Sequence, residues 1–190
     1  MKRTLSCAAF MAAILTSAFA QTPDSKFMTP NKAGSNPMKT EATIGGKKIW
    51  IIYHAPSVKG RKIFGAPDSL QPEGSIWRLG ADWATFLHTD ANLDLNGLAV
   101  PAGEYTLYMD LDKGKWQLIV NKQTGQWGIK RDGSTTMDEA QNVGKTAMTM
   151  GKPASTVETL KIDLSSTGGN KGKLTVEWEN VTASLNFTAK

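Results

Sequence analysis

Short runs in which apolar and polar side chains alternate with a period of two, separated by tight-turn signals, commit this chain to antiparallel strands. Ile49, Ile51 and Tyr53 alternate with Trp50, Ile52 and His54, and Tyr105, Leu107 and Met109 with Thr106, Tyr108 and Asp110. Trp116, Leu118 and Val120 follow the same pattern, as do Leu174, Val176 and Trp178. Gly45-Gly46 and Asn96-Gly97 stand between such runs, and Asn-Gly suits a type I′ hairpin because both central residues need positive φ. Asp112-Lys113-Gly114 and Asn170-Lys171-Gly172 mark two further reversals. No window keeps a helical period for much more than about ten residues, and Asp138 to Asn142 offers a single helical turn. Roughly nine or ten short strands predict an all-β fold: an antiparallel β-sandwich, jelly-roll-like, in a single domain.

The first twenty residues read as an address rather than as structure. Lys2 and Arg3 precede an apolar stretch from Leu5 to Phe19, and Ala18-Phe19-Ala20 places small residues where a signal peptidase reads them. Residues 1–20 are therefore expected to be a signal peptide, cleaved near Ala20, with the product periplasmic or secreted. Cys7, the only cysteine, lies early in this segment and not after it, which argues against a lipid anchor. Without it the chain has no thiol, so disulfides are excluded and an ordinary core must hold the domain. No second run of about 18 apolar residues follows, and no membrane span is expected. The formal net charge is +5, or +3 without Lys2 and Arg3, too mild for a nucleic-acid partner. Residues 21–39, with Pro23, Pro30 and Pro37 among small polar groups, read as a flexible tether, and 40–190 as the domain.

Chemistry concentrates on one long connection. Tyr53-His54-Ala55-Pro56-Ser57-Val58-Lys59-Gly60-Arg61-Lys62-Ile63-Phe64-Gly65 carries a dense set of basic, aromatic and glycine residues, and Ile76-Trp77-Arg78-Leu79-Gly80-Ala81 follows shortly after it. Neither segment has a helical or strand period, as befits shaped loops. Ser57, Lys59, Gly60, Arg61 and Lys62 can cradle an anion, with Arg78 arriving to make a bidentate contact to carboxylate or phosphate. A structural role competes: Arg61 and Arg78 pairing with Asp68, Glu73, Asp82 or Glu104 would staple the connection to the sheet, with Phe64 plugging the core. Among the six tryptophans, Trp50, Trp116 and Trp178 read as core, while Trp77, Trp83 and Trp127 sit at strand ends or loops where an aromatic can meet a ligand.

These two segments, together with Pro101-Ala102-Gly103-Glu104-Tyr105-Thr106-Leu107, Asn121-Lys122 and Gln126-Trp127-Gly128, closely resemble the domain-of-unknown-function 2911 family of exported bacterial proteins. The resemblance runs over essentially the whole chain after the tether. It implies a bacterial, periplasmic or secreted β protein and brings no catalytic or ligand residues with it. Trp83 and His88 depart from the family pattern.

Other chemistries find less support. Two histidines, His54 and His88, no cysteine beyond Cys7 and no metal-binding spacing leave no predicted metal or other cofactor. Asn92 to Gly97 opens like a calcium loop, but Leu93 and Leu95 mark a strand, and Gly103 stands where a bidentate Glu is needed. No nucleophile elbow is present, and nothing selects a carboxylate pair among the acids. The leading expectation is a non-catalytic binding module for a small anionic or carbohydrate-like ligand, or an envelope partner, through Ser57, Lys59, Gly60, Arg61, Lys62, Trp77 and Arg78. A hydrolase using His54 or a carboxylate pair, and a purely structural envelope protein, are the alternatives; the oligomeric state is left open.

Overall fold

The structure, a computed structural model, describes residues 34–190. The expected signal peptide and most of the expected tether lie outside them. In chain order the strands are β1 (Asn36–Ile44), β2 (Lys47–Ala55), β3 (Phe64–Gly65), β4 (Gln71–Pro72), β5 (Ile76–Trp77), β6 (Thr85–Thr89), β7 (Leu93–Leu95) and β8 (Leu98–Val100). They continue with β9 (Gly103–Asp110), β10 (Gln117–Asn121), β11 (Asn142–Ala147), β12 (Thr149–Gly151), β13 (Val157–Gly168), β14 (Lys171–Glu179) and β15 (Val181–Ala189). One turn of 3-10 helix, Glu139–Gln141, is capped by the Asp138 carboxylate, where the sequence offered a helical turn. Among the described residues no helix is long and apolar enough to cross a membrane.

Two antiparallel sheets face each other as a sandwich. One runs β1-β2-β6-β9-β10-β11, with β5 added to β9; the other runs β13-β14-β15-β7-β8, with β12 added to β15. β3 and β4 form a small parallel pair outside both. Pairing begins at Asn36, opposite Ala55, so 36–39, read from sequence as the end of the tether, belong to a strand. The turn between β13 and β14 falls on Gly169-Asn170, one residue earlier than its sequence signal. Strands outnumber the sequence expectation because β3, β4 and β5 are only two residues long and β6, β11 and β12 lack clean alternation.

The core follows from the period of two. Ile49, Ile51 and Tyr53 of β2, Tyr105, Leu107 and Met109 of β9, and Leu174, Val176 and Trp178 of β14 meet between the sheets, all nearly inaccessible. β9 and β10 are buried on both faces because the connection between β10 and β11 folds back over the outside of the sheet. There Tyr108, Ile119, Ala84 and Met137 make a second apolar cluster. Asn121, 0% exposed, organises that connection: its Nδ2 donates to Asp138 O and Asn142 Oδ1, and its Oδ1 accepts from Gln123 N.

Trp50 departs from its sequence reading. It lies on the outer face of β2, half-buried and stacked on His88 at 3.6 Å between centroids, while Trp116 and Trp178 are in the core as expected. Both faces of β2 carry apolar groups, so alternation alone does not say which faces inward.

The exposed edge of β13 is closed by side chains from the opposite sheet. Ile162 N donates to the Tyr53 hydroxyl at 3.1 Å, and Leu164 N donates to Thr40 Oγ1 at 3.1 Å. Burial of the Tyr53 phenol raises its pKa, as loss of water around a phenolate must. Tyr53→Phe leaves a buried N–H without a partner and is expected to cost about 1–3 kcal/mol in denaturant unfolding. A loss within error of zero would mean that this hydroxyl does not satisfy the edge.

Candidate functional site

The segment after β2 is shaped by a reversal at Val58 to Arg61, where Arg61 N donates to Val58 O at 3.0 Å. Lys59 (φ 49°) and Gly60 (φ 70°) both take positive φ, the signature of a type I′ turn. Its flank is tied to β13 by Val58 N to Glu158 O and Leu160 N to Pro56 O. The Ser57 hydroxyl meets Thr159 Oγ1 at 3.0 Å. Arg61 closes the loop on itself: Nε donates to Val58 O at 3.0 Å and Nη2 to Ser57 O at 2.6 Å.

The second motif has a different job at each position. Trp77 is 2% exposed, stacked with Trp178 and edge-on to Phe64, and its Nε1 donates to Gly80 O. Leu79 (φ 56°) is wholly buried, with its carbonyl accepting from Thr85 Oγ1. Gly80 is required by a close approach, since a Cβ there would lie 3.0 Å from His54 O. Arg78 turns outward: its guanidinium lies 5.1 Å over the Trp127 ring, and Nη1 donates to Trp127 O at 2.9 Å. Partial burial lowers its pKa and Asp82 acts in the opposite direction; the guanidinium stays charged all the same.

These pieces border one cleft of about 660 Å³. Ser57, Lys59 and Arg61 line one part, Arg78 another, with Gly128, Ile129, Asp132, Gly133 and Gly34-Ser35 completing the walls. Of the residues singled out in the sequence, Ser57, Lys59, Arg61, Trp77 and Arg78 come together here. Gly60 and Lys62 are exposed but do not line it. Trp77 borders it as floor, too buried to offer a ring face for stacking. Trp178 forms the floor as well, and its Nε1 is buried without a hydrogen-bond partner among the described residues.

Ion-pair stapling of the two arginines is not what the structure shows. Among the described residues neither Arg61, Arg78 nor Lys59 forms an ion pair; the guanidinium contacts are to backbone carbonyls. Three cations thus face one lining carboxylate, Asp132, which the Ser134 hydroxyl and N–H hold below its ordinary pKa, so it stays ionised. Asp132 and Ile129 were not visible as site residues, because Asp132-Gly133 reads as turn chemistry and nothing else.

His54 meets a carboxylate, but beneath the wall. Its Nδ1 lies 3.0 Å from Ser35 O and 3.2 Å from Asp82 Oδ2, two acceptors, so that nitrogen carries a proton. Asp82 Oδ2 also accepts from Ser35 N at 2.7 Å. His54 is 1% exposed and does not line the cleft. Among the described residues no three His, Cys, Asp or Glu side chains gather as a metal ion requires.

Comparison with known proteins finds no match among curated proteins and none among solved structures. A family described as a protein of unknown function (DUF2911) matches residues 35–187, from the Ser35 contact at the cleft to the last strand. The chain belongs to the DUF2911 family.

Proposed function

We propose that this protein is a non-catalytic binding module whose cleft between the 57–62 loop and Arg78 takes a small anionic or sugar-like ligand. The observation that carries the reading is the charge of the lining: Lys59, Arg61 and Arg78, without ion-pair partners among the described residues, against Asp132 alone. Arg61 keeps three of its five donors after binding Ser57 O and Val58 O, and Arg78 keeps four after binding Trp127 O. Backbone strain points to the same place. Two non-glycine residues with positive φ that serve no hairpin turn, Leu79 and Asp82, lie beside the lining, whereas Lys59, Asn96 and Glu179 belong to turns. The leader read at residues 1–20 supports a ligand met outside the cytoplasm.

A thermal-shift series with phosphate, carboxylates and neutral or acidic sugars tests this. A compound at about 100 times its dissociation constant should stabilise the protein by roughly 2.7 kcal/mol. Lys59→Ala removes an exposed ammonium and should fold normally while binding less tightly; Arg61→Ala with Arg78→Ala should abolish the shift. No shift with any anion, or one that survives all three substitutions, would sink the proposal.

A further inference from the structure

We infer that the ligand of this cleft is an acidic sugar, a uronate-type carboxylate on a polyhydroxylated ring, an inference that rests on the binding reading above. Volume is the first reason. About 660 Å³ lies within the roughly 300–1,000 Å³ of small-molecule sites and far exceeds what one inorganic anion fills.

The charge pattern is the second. A doubly charged phosphate gains from Arg61 and Arg78 but is repelled by Asp132, whose carboxylate remains ionised under two hydrogen bonds from Ser134. A singly charged carboxylate with hydroxyl groups suits the set better. Its carboxylate takes the fork of a guanidinium, and a hydroxyl donates to Asp132. The rest of the lining mixes neutral polar groups, Ser69, Gln71 and Ser75, with apolar ones, Leu70, 41% exposed, Ile76 and Ile129. The C–H face of a sugar ring can lie against the apolar groups without losing its equatorial hydrogen bonds.

The third reason separates a sugar from an acidic peptide. An extended peptide binds by adding to a strand edge with free N–H and C=O groups. Here the backbone around the cleft is bonded within the fold, through Ser57 with Thr159, Gln71 N to Ile63 O, Thr85 N to Arg78 O and Thr136 N to Gly128 O.

Titration calorimetry of the protein with a galacturonate disaccharide, the neutral galactose disaccharide, inorganic phosphate and triaspartate decides the matter. The uronate should bind at least tenfold more tightly than each of the other three. Arg78→Ala should weaken it about 10- to 100-fold, as loss of charged hydrogen bonds does. Asp132→Asn should weaken the uronate and strengthen phosphate, a reversal that a purely electrostatic pocket does not produce. If phosphate or triaspartate binds best, or the neutral sugar binds as well as the uronate, this inference falls while the cleft reading stands. If no probe binds, or uronate affinity ignores Arg78→Ala in a variant that retains the parent melting profile, both fall.

Discussion

Trp178→Ala is expected to lower stability by about 3–5 kcal/mol, the range for removing a buried indole and leaving its cavity. The side chain is 1% exposed, stacked on Trp77 at 5.7 Å between centroids and met edge-on by Phe64. Phe64 in turn reaches Trp116 at 4.8 Å, so four rings from four distant stretches of chain close this end of the sandwich. The site cannot collapse easily because β14 is central in its sheet, held by β13 and β15. Trp178→Phe separates packing from hydrogen bonding. Nε1 has no partner among the described residues, so the phenyl ring loses no hydrogen bond and should cost less than half as much. Chemical denaturation of the two variants checks this. Equal losses would mean that the indole N–H is engaged after all.

Gly128→Ala should cost about 2–5 kcal/mol from two sources that add. Gly128 has φ +88°, where a side chain is strained by roughly 1–2 kcal/mol. An added Cβ would lie 2.9 Å from the Cβ atoms of both Ala84 and Arg78, and overpacking of this kind costs about 1–3 kcal/mol. These atoms sit next to backbone and cannot swing aside as a side-chain tip can. The strain should therefore reach function as well, since the segment that must yield is the one that aims Arg78. A variant with parent stability would show that the two loops do not touch here.

Turn chemistry was the most legible part of the sequence. Asn96 (φ 54°) and Gly97 (φ 91°) form the expected hairpin turn, and Gly45 and Gly46 both take positive φ. Such turns are decided by a few adjacent residues. The inner faces of β2, β9 and β14 were legible for a related reason, since each is a two-residue repeat read against a single core. What could not be read depends on distant partners. Trp77 looks like a loop-end aromatic until Trp178, far along the chain, is laid against it. Trp50 looks like core until the other face of its sheet is seen to carry Phe86 and Ile52. The glycine-rich basic loop and Arg78 stood out by composition. Their cleft wall at Ile129, Asp132 and Gly133 did not, because its placement depends on the buried Asn121 and on the close approach at Gly128.

The register of the strands also fixes where the two ends of the domain emerge. Asn36 pairs with Ala55 at the cleft end of β2, and Gly34 and Ser35 form part of the cleft rim. At the other end, Thr188 pairs with Lys171, the residue of β14 farthest along the strand from Trp178, and Lys190 Nζ reaches Asp94. A fluorophore or surface tether attached at Lys190 therefore stands a full strand length from the cleft mouth, whereas a bulky side chain placed at Gly34 or Ser35 stands at its rim.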